Sequence, residues 1–222
     1  MAEIKLIEVK EEILADNIRQ AASVRDEYKR KKTMLLNLMS SPGSGKTSLI
    51  LRTVEALKDS VNIGVIEADI DSTVDAEKVA ATGIPAVQLR TGGFCHLDAA
   101  MVTQGLDALV GNDLDLIIIE NVGNLVCPAE FDTGAHKNVM ILSVPEGDDK
   151  PLKYPLMFSV SDLLLVNKID YLALSDFDIV ALRKRALTLN PRMAILEISC
   201  RSGAGIEEWI KWLRQELEAF RK

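Results

Sequence analysis

Apolar residues in this chain gather into short, nearly continuous runs, separated by charged stretches with helical spacing. The runs cover residues 34–39, 62–68, 86–89, 114–120, 139–144, 162–167 and 193–198. Continuous hydrophobicity, without alternation, is what a strand needs when both of its faces are buried, as in a parallel sheet. Between most of these runs the pattern turns helical, over residues 46–58, 74–81, 97–109, 175–189 and 206–222. This alternation predicts an α/β fold with a doubly wound, mostly parallel sheet. From Ile4 to about Lys32 the chain is charged and helical, with Ile4, Ile13, Leu14, Ile18 and Ala22 spaced for one apolar stripe. The pattern therefore predicts an N-terminal helical extension over residues 1–32, set outside the main fold, and one domain over residues 33–222.

Composition narrows the class. The 222 residues can bury one sizeable core. A net charge of −7 argues against a nucleic-acid-binding protein. The first residues, M-A-E-I-K-L-I-E-V-K-E-E, carry charge throughout, so neither a signal peptide nor a membrane anchor is expected. No apolar run approaches the ~18 residues of a membrane span. Three widely spaced cysteines do not suggest a disulfide framework and point to a reducing cytoplasm.

The stretch S-S-P-G-S-G-K-T, residues 40–47, joins the first run to the following helix. It is the phosphate loop G-x-x-x-x-G-K-S/T with Ser40 in place of the first glycine. In such a loop backbone N–H groups from Gly43 to Ser48, with Ser44 between the glycines, form an anion nest at a helix N-terminus. Gly43 and Gly45 permit the unusual dihedrals. Lys46 would reach the β- and γ-phosphates, and the Thr47 hydroxyl would bind Mg²⁺. Ser40 costs little, because the backbone from Gly43 onward makes the cradle.

Asn167-Lys168-Ile169-Asp170 chooses the base. It ends a predicted strand, where such sheets bind ligands. The Asp170 carboxylate can accept from guanine N1–H and the exocyclic amine, a donor pair adenine lacks. Asn167 would brace the loop and the Lys168 stem would lie over the base. Ser199, Cys200 and Arg201 end the next strand, at the place where GTPases offer a backbone N–H to the guanine oxygen. Cys200 reads equally well as a buried structural thiol.

On the γ-phosphate side, D-L-I-I-I-E-N-V-G gives Glu120-x-x-Gly123 where most GTPases have D-x-x-G. The Glu120 carboxylate can reach Mg²⁺, and the Gly123 N–H can sense the γ-phosphate. Asn124 stands where Ras-like proteins have a water-positioning glutamine, and no arginine finger is evident, so slow intrinsic hydrolysis of GTP to GDP is expected. Upstream, Asp69 reads as a Mg²⁺-side carboxylate, and Asp75 as either a second one or a solvated helix start.

Cys95 and His96 follow Gly92 and Gly93 at a predicted helix start, and Cys127 lies four residues after Gly123. Two sulfurs and a nitrogen suit Zn²⁺ or Ni²⁺. The spacing is equally compatible with an inert thiol and a helix-capping histidine. Cys127 should move with Gly123, from which at most ~14 Å of extended chain separates it. Cys95 and His96 begin a different helix and need not follow.

The stretches S-S-P-G-S-G-K-T, I-E-A-D, T-G-G-F-C-H-L-D-A, E-N-V-G-N-L-V-C-P-A-E-F-D-T-G and E-G-D-D-K-P-L-K-Y-P together resemble the HypB family. These are nickel-insertion GTPases of NiFe-hydrogenase maturation, in the SIMIBI class of P-loop proteins. The resemblance covers nearly the whole chain from about residue 34. It implies that Cys95, His96 and Cys127 bind metal at a dimer interface. With three ligands per chain, the fourth is most simply a water or a thiolate from a second chain, and a homodimer favoured by GTP and metal is expected. It implies as partners a nickel-delivery accessory protein of the HypA type and the hydrogenase large subunit. Ser40 resembles the family's own loop. Some members carry an N-terminal cysteine-rich or histidine-rich nickel motif; the first cysteine here is Cys95. His136 matches a family position and reads as packing or a switch-loop contact. A urease-type relative would be expected to have Cys-Pro-His, whereas Ala129 follows Cys127-Pro128 here. A cobalamin-enzyme chaperone GTPase is a second neighbour. A metal-storage dimer with a vestigial GTP site is opposed by Lys46, Thr47 and Asp170.

Overall fold

The computed structural model describes residues 9–70 and 73–222. Among these, seven strands form one sheet: β1 (Met34–Ser40), β2 (Ile63–Asp69), β3 (Ala86–Arg90), β4 (Leu116–Glu120), β5 (Lys137–Ser143), β6 (Leu163–Asn167) and β7 (Ala194–Glu197). Their order is β3-β2-β4-β1-β5-β6-β7, and every neighbouring pair is parallel. Each predicted run became a strand, with ends moved by one or two residues. The helices are α1 (Val9–Arg30), α2 (Lys46–Leu57), α3 (Val74–Ala80), α4 (Ala99–Ala108), α5 (Cys127–Glu130), α6 (Lys150–Lys153), α7 (Pro155–Val160), α8 (Ile179–Leu189) and α9 (Ile206–Arg221). The sequence pattern does not announce α5, α6 and α7, which are too short to show a helical period. Each has a proline in its first turn, where the missing N–H costs nothing. No described helix is long and apolar enough to cross a membrane.

Alternate residues of each strand face opposite ways. On one face Leu36, Leu38, Val65 and Ile118 pack with Leu49 and Ile50 of α2 and with Trp209 and Leu213 of α9. On the other face Leu35, Ile66 and Ile119 pack with Val102 and Leu106 of α4. Further along that face Met140, Leu142, Leu164 and Val166 pack with Phe158 of α7 and Leu182 of α8.

The expectation that the leading helix lies outside this core is corrected. Val24 and Tyr28 of α1 belong to the cluster that holds Leu35 and Leu106. The buried stripe is Asn17, Ala21, Val24 and Tyr28. It is not the predicted stripe, since Ile13 is 53% and Ile18 59% exposed; Ile4 lies outside the described residues. The inward face contains a polar residue, which an apolar count passes over. Asn17 is buried because it is hydrogen-bonded at both ends: its Nδ2 donates to Asp132 O at 3.0 Å and its Oδ1 accepts from Ala99 N at 2.9 Å. Arg25 adds a two-pronged contact with the Asp132 carboxylate at 2.6 and 2.8 Å. His136 completes the tie. Its Nδ1 accepts from Leu35 N at 2.9 Å, and its Nε2 lies 2.9 Å from Arg25 O, so the ring joins α1 to β1. His136 is thus a packing residue; both ring nitrogens are taken by backbone.

Candidate nucleotide and metal site

The carboxyl ends of β1, β2, β4 and β6 converge at one edge of the sheet, and the predicted site residues lie there. Ser40 closes β1 fully buried. The loop then turns through Gly43 (φ 73°) and Gly45 (φ 110°), and α2 begins at Lys46 with no side-chain cap. Both glycines hold dihedrals that a side chain opposes, and a Cβ on Gly45 would lie 2.4 Å from Asn167 Nδ2. An uncapped N-terminus behind such a turn leaves N–H groups for an anion. Lys46 is buried, and its Nζ donates to Ser40 Oγ at 3.2 Å. The residue that departs from the glycine pattern therefore gives the lysine a partner. Ser44 Oγ is buried without one; Ser48 is exposed on the first turn of α2.

The base-side loop is braced against this cradle. Asn167 Nδ2 donates to Ser44 O at 2.8 Å and Lys168 Nζ donates to Gly43 O at 2.7 Å. Asn167 Oδ1 accepts from Lys168 N and Cys200 N. Ser199 Oγ donates to Asp170 Oδ1 at 2.6 Å, which fixes the carboxylate that would meet guanine. Cys200 is buried, and burial pushes its thiol up to about 11. That makes it an inert packing group. Arg201 is exposed, and its carbonyl, like that of Cys200, accepts from the Arg52 guanidinium.

On the cation side, Thr47 Oγ1 donates to Glu120 Oε1 at 3.0 Å. Carboxylate oxygens of Glu67, Asp75 and Glu120 all lie within 4.8 Å of one another. Asp75, left open by the sequence, belongs to this group, although Lys78 also contacts it at 2.7 Å. Asp69 ends β2 outside the group, but its charge acts on both Glu67 and Glu120. Glu67 is the residue the sequence reading passes over. It stands opposite Glu120 in the β2–β4 register and points to the same face. Its signal was a lone glutamate inside an apolar strand. Burial, and then the neighbouring Glu120 charge, raises Glu67 to about 7. Burial also raises Glu120 to about 7, against the opposing pull of Lys46 and Thr47. Oε2 of each is buried without a hydrogen-bond partner. Two orphaned carboxylate oxygens beside a threonine hydroxyl make an all-oxygen donor set that fits Mg²⁺.

Beyond Glu120 the chain lies flat on the phosphate loop. Asn124 N donates to Ser40 O at 2.8 Å. A Cβ on Gly123 would sit 2.9 Å from Pro42 N and 3.0 Å from Pro42 Cα, so only glycine lets the two backbones approach this closely.

Four residues on, Cys127 opens α5. Its Sγ lies 2.9 Å from Cys95 Sγ, and His96 Nδ1 lies 3.9 Å from Cys95 Sγ. The three ligand atoms fall within 4.8 Å of one another, and all three residues are half-buried. The tight turn needed for adjacent Cys95 and His96 is made by Gly92 (φ 60°) and Gly93 (φ 109°). The His96 ring stacks on Phe131 with centroids 3.9 Å apart. Burial lowers its basicity, which favours the neutral imidazole that ligates metal. The sequence left this cluster open between a metal site and inert groups. The fold brings all three together, and two soft sulfurs with an imidazole are a donor set for Ni²⁺ or Zn²⁺.

Fold and site together define a P-loop nucleotide-binding protein with a second, sulfur-rich cluster built from the loops that follow β3 and β4. The family model described as the CobW/HypB/UreG nucleotide-binding domain matches residues 34–197. The chain belongs to the HypB family. It is 45% identical over 216 residues to the hydrogenase maturation factor HypB of Escherichia coli K12, covering 97% of this chain and 74% of that protein. The solved structure of HypB from Archaeoglobus fulgidus superposes with a TM-score of 0.85 at 41% identity, over 91% of this chain and 99% of that one. The structure of HypB from Helicobacter pylori in complex with nickel gives 0.87 at 35% identity, over 93% and 97%.

Proposed function

We propose that this chain is a GTP-hydrolysing metallochaperone that holds nickel and releases it, under nucleotide control, for NiFe-hydrogenase maturation. The observation that carries the reading is the placement of Cys127. It closes on Cys95 at 2.9 Å and stands four residues beyond Gly123, which presses on the phosphate loop.

The amides around Gly43 and Gly45 cradle the phosphates, and Lys46 exchanges Ser40 Oγ for phosphate oxygens. Thr47, Glu120, Glu67 and Asp75 would hold Mg²⁺, which neutralises developing phosphate charge when bound. Asp170 selects guanine. Water attack forms a bond to the γ-phosphorus and breaks the bond to the bridging oxygen, giving GDP and phosphate. Asn124 Oδ1 accepts from Val126 N at 2.8 Å, which turns that side chain toward its own loop, in keeping with slow turnover. Cys95, His96 and Cys127 hold the nickel cargo, and zinc fits the same donors. With three ligands in the chain, the fourth is a water or a thiolate from a second copy, and a twofold homodimer would place two such sets face to face. Hand-over to an accessory protein of the HypA type and to the hydrogenase large subunit completes the role.

The test is nickel affinity in the presence of GDP and of a non-hydrolysable GTP analogue, for wild type and Cys127→Ala. Wild type should show a difference between the nucleotide states, and Cys127→Ala should bind weakly in both. Equal wild-type affinities would sink the nucleotide control.

A further inference from the structure

The sequence expectation leaves Cys95 and His96 free of the γ-phosphate segment, because they begin a different helix. The structure ties them to it. The buried N–H of Leu97, the residue after His96, donates to Asn121 Oδ1 at 3.1 Å. Asn121 directly follows Glu120 and stands two residues before Gly123. It is fully buried, and its side chain is committed on both sides. Oδ1 also accepts from Val122 N at 2.9 Å, and Nδ2 donates to Asn37 Oδ1 at 3.1 Å. Asn37 Nδ2 donates in turn to Asn138 Oδ1 at 3.1 Å, and Asn138 Nδ2 donates to Val160 O at 3.3 Å. This line of three asparagines runs from the end of β4 through β1 to β5, between two apolar clusters. Rotating one amide would set donor against donor, so the network holds Asn121 in a single orientation.

We propose that Asn121 is a positioning residue that couples the nucleotide to the metal, by fixing the loop of Cys95 and His96 to the strand end that faces the γ-phosphate. This rests on the metallochaperone reading and names its regulatory part. Both arms of the metal cluster then start from residues 120–123. Cys127 is linked through the chain, and His96 through the Asn121–Leu97 hydrogen bond. A shift of this strand end on loss of γ-phosphate displaces a ligand on each arm. The Asn121 side chain is spent on the protein partners Leu97, Val122 and Asn37. Asn17 supplies the contrast: it holds Ala99 N at the start of the same helix, but from α1, which carries no nucleotide group.

The experiment measures nickel dissociation constants with GDP and with a GTP analogue, for wild type, Asn121→Ala and Asn17→Ala. Wild type should show a ratio between the two states in the usual range for coupled sites, about 5- to 150-fold. Asn121→Ala should bring the ratio down to about its square root, because one of two arms is lost. Asn17→Ala should weaken both states alike and keep the ratio. A second measurement needs no substitution: amide exchange at Leu97 in the wild type should change with nucleotide together with the amides of residues 122–124. An unchanged ratio in Asn121→Ala, or a Leu97 amide blind to nucleotide while residues 122–124 respond, overturns the role of Asn121 and leaves the metallochaperone reading standing. A wild-type ratio of one sinks the nucleotide control and the role of Asn121 with it.

Discussion

Glu67→Gln probes the cation side of the nucleotide site most directly. Glu67 and Glu120 are each 3% exposed and stand opposite one another on β2 and β4. Burial is the first cause that raises Glu67 from 4.5 to about 7, and the Glu120 charge is the second. At about 1.4 kcal/mol per unit, ionising Glu67 in the metal-free fold costs on the order of 3 kcal/mol. An acid whose pKa is raised on folding binds its proton more tightly folded than unfolded. Metal-free wild type should therefore lose stability as pH climbs from about 4.5 to 7 and stay at the lower value above. A glutamine keeps the shape, and its oxygen can still accept from Gln88. At pH 8 in chelator, Glu67→Gln should recover about 2 kcal/mol of this, the rest being offset by burial of the glutamine amide. For a chain of this size that raises the melting temperature by about 4–8 °C. Adding Mg²⁺ with GDP should reverse the order, since the variant has lost a ligand charge. Thermal unfolding followed by circular dichroism in both media is the assay. A variant less stable than wild type in chelator, or stabilised equally by Mg²⁺, would refute the assignment of Glu67 to the cation site.

Two further outcomes are expected. Asp170→Asn removes one half of the guanine acceptor pair while keeping an oxygen for Ser199 Oγ, so GTP affinity should fall tenfold or more, from about 1.5–3 kcal/mol for a charged hydrogen bond, and xanthine nucleotides should gain; unchanged GTP affinity counts against it. His136 is held neutral by burial and by the Arg25 and Lys29 charges, with Lys137 and Glu216 beside it, and protonation would set its Nδ1–H against Leu35 N–H. Because its pKa is lowered on folding, its contribution is complete above the ordinary value of 6.5 and is lost as pH falls through the lowered one. His136→Ala should cost about 1–3 kcal/mol at pH 7.5 and flatten the decline toward pH 5; equal pH slopes in variant and wild type would contradict this.

The sheet was legible in the sequence because both faces of its inner strands are covered, which forces continuous apolar runs that few other structures produce. The phosphate loop and Asn167-Lys168-Ile169-Asp170 were legible for a related reason: their chemistry is written in adjacent residues at a strand end. The metal cluster was half legible. Cys95 and His96 are neighbours, but only the β3–β2–β4 order brings their loop onto Cys127. What the tertiary structure alone decided are the pairings between elements distant in sequence. Glu67 acquires a role only because register sets it opposite Glu120. The face of α1 was misread because its inward stripe includes Asn17, whose burial makes sense only with Asp132 and Ala99 in place. Asn121 carried no signal at all. Periodicity counts apolar positions, and the hydrogen-bonding value of a polar side chain is fixed by the partner that folding brings to it.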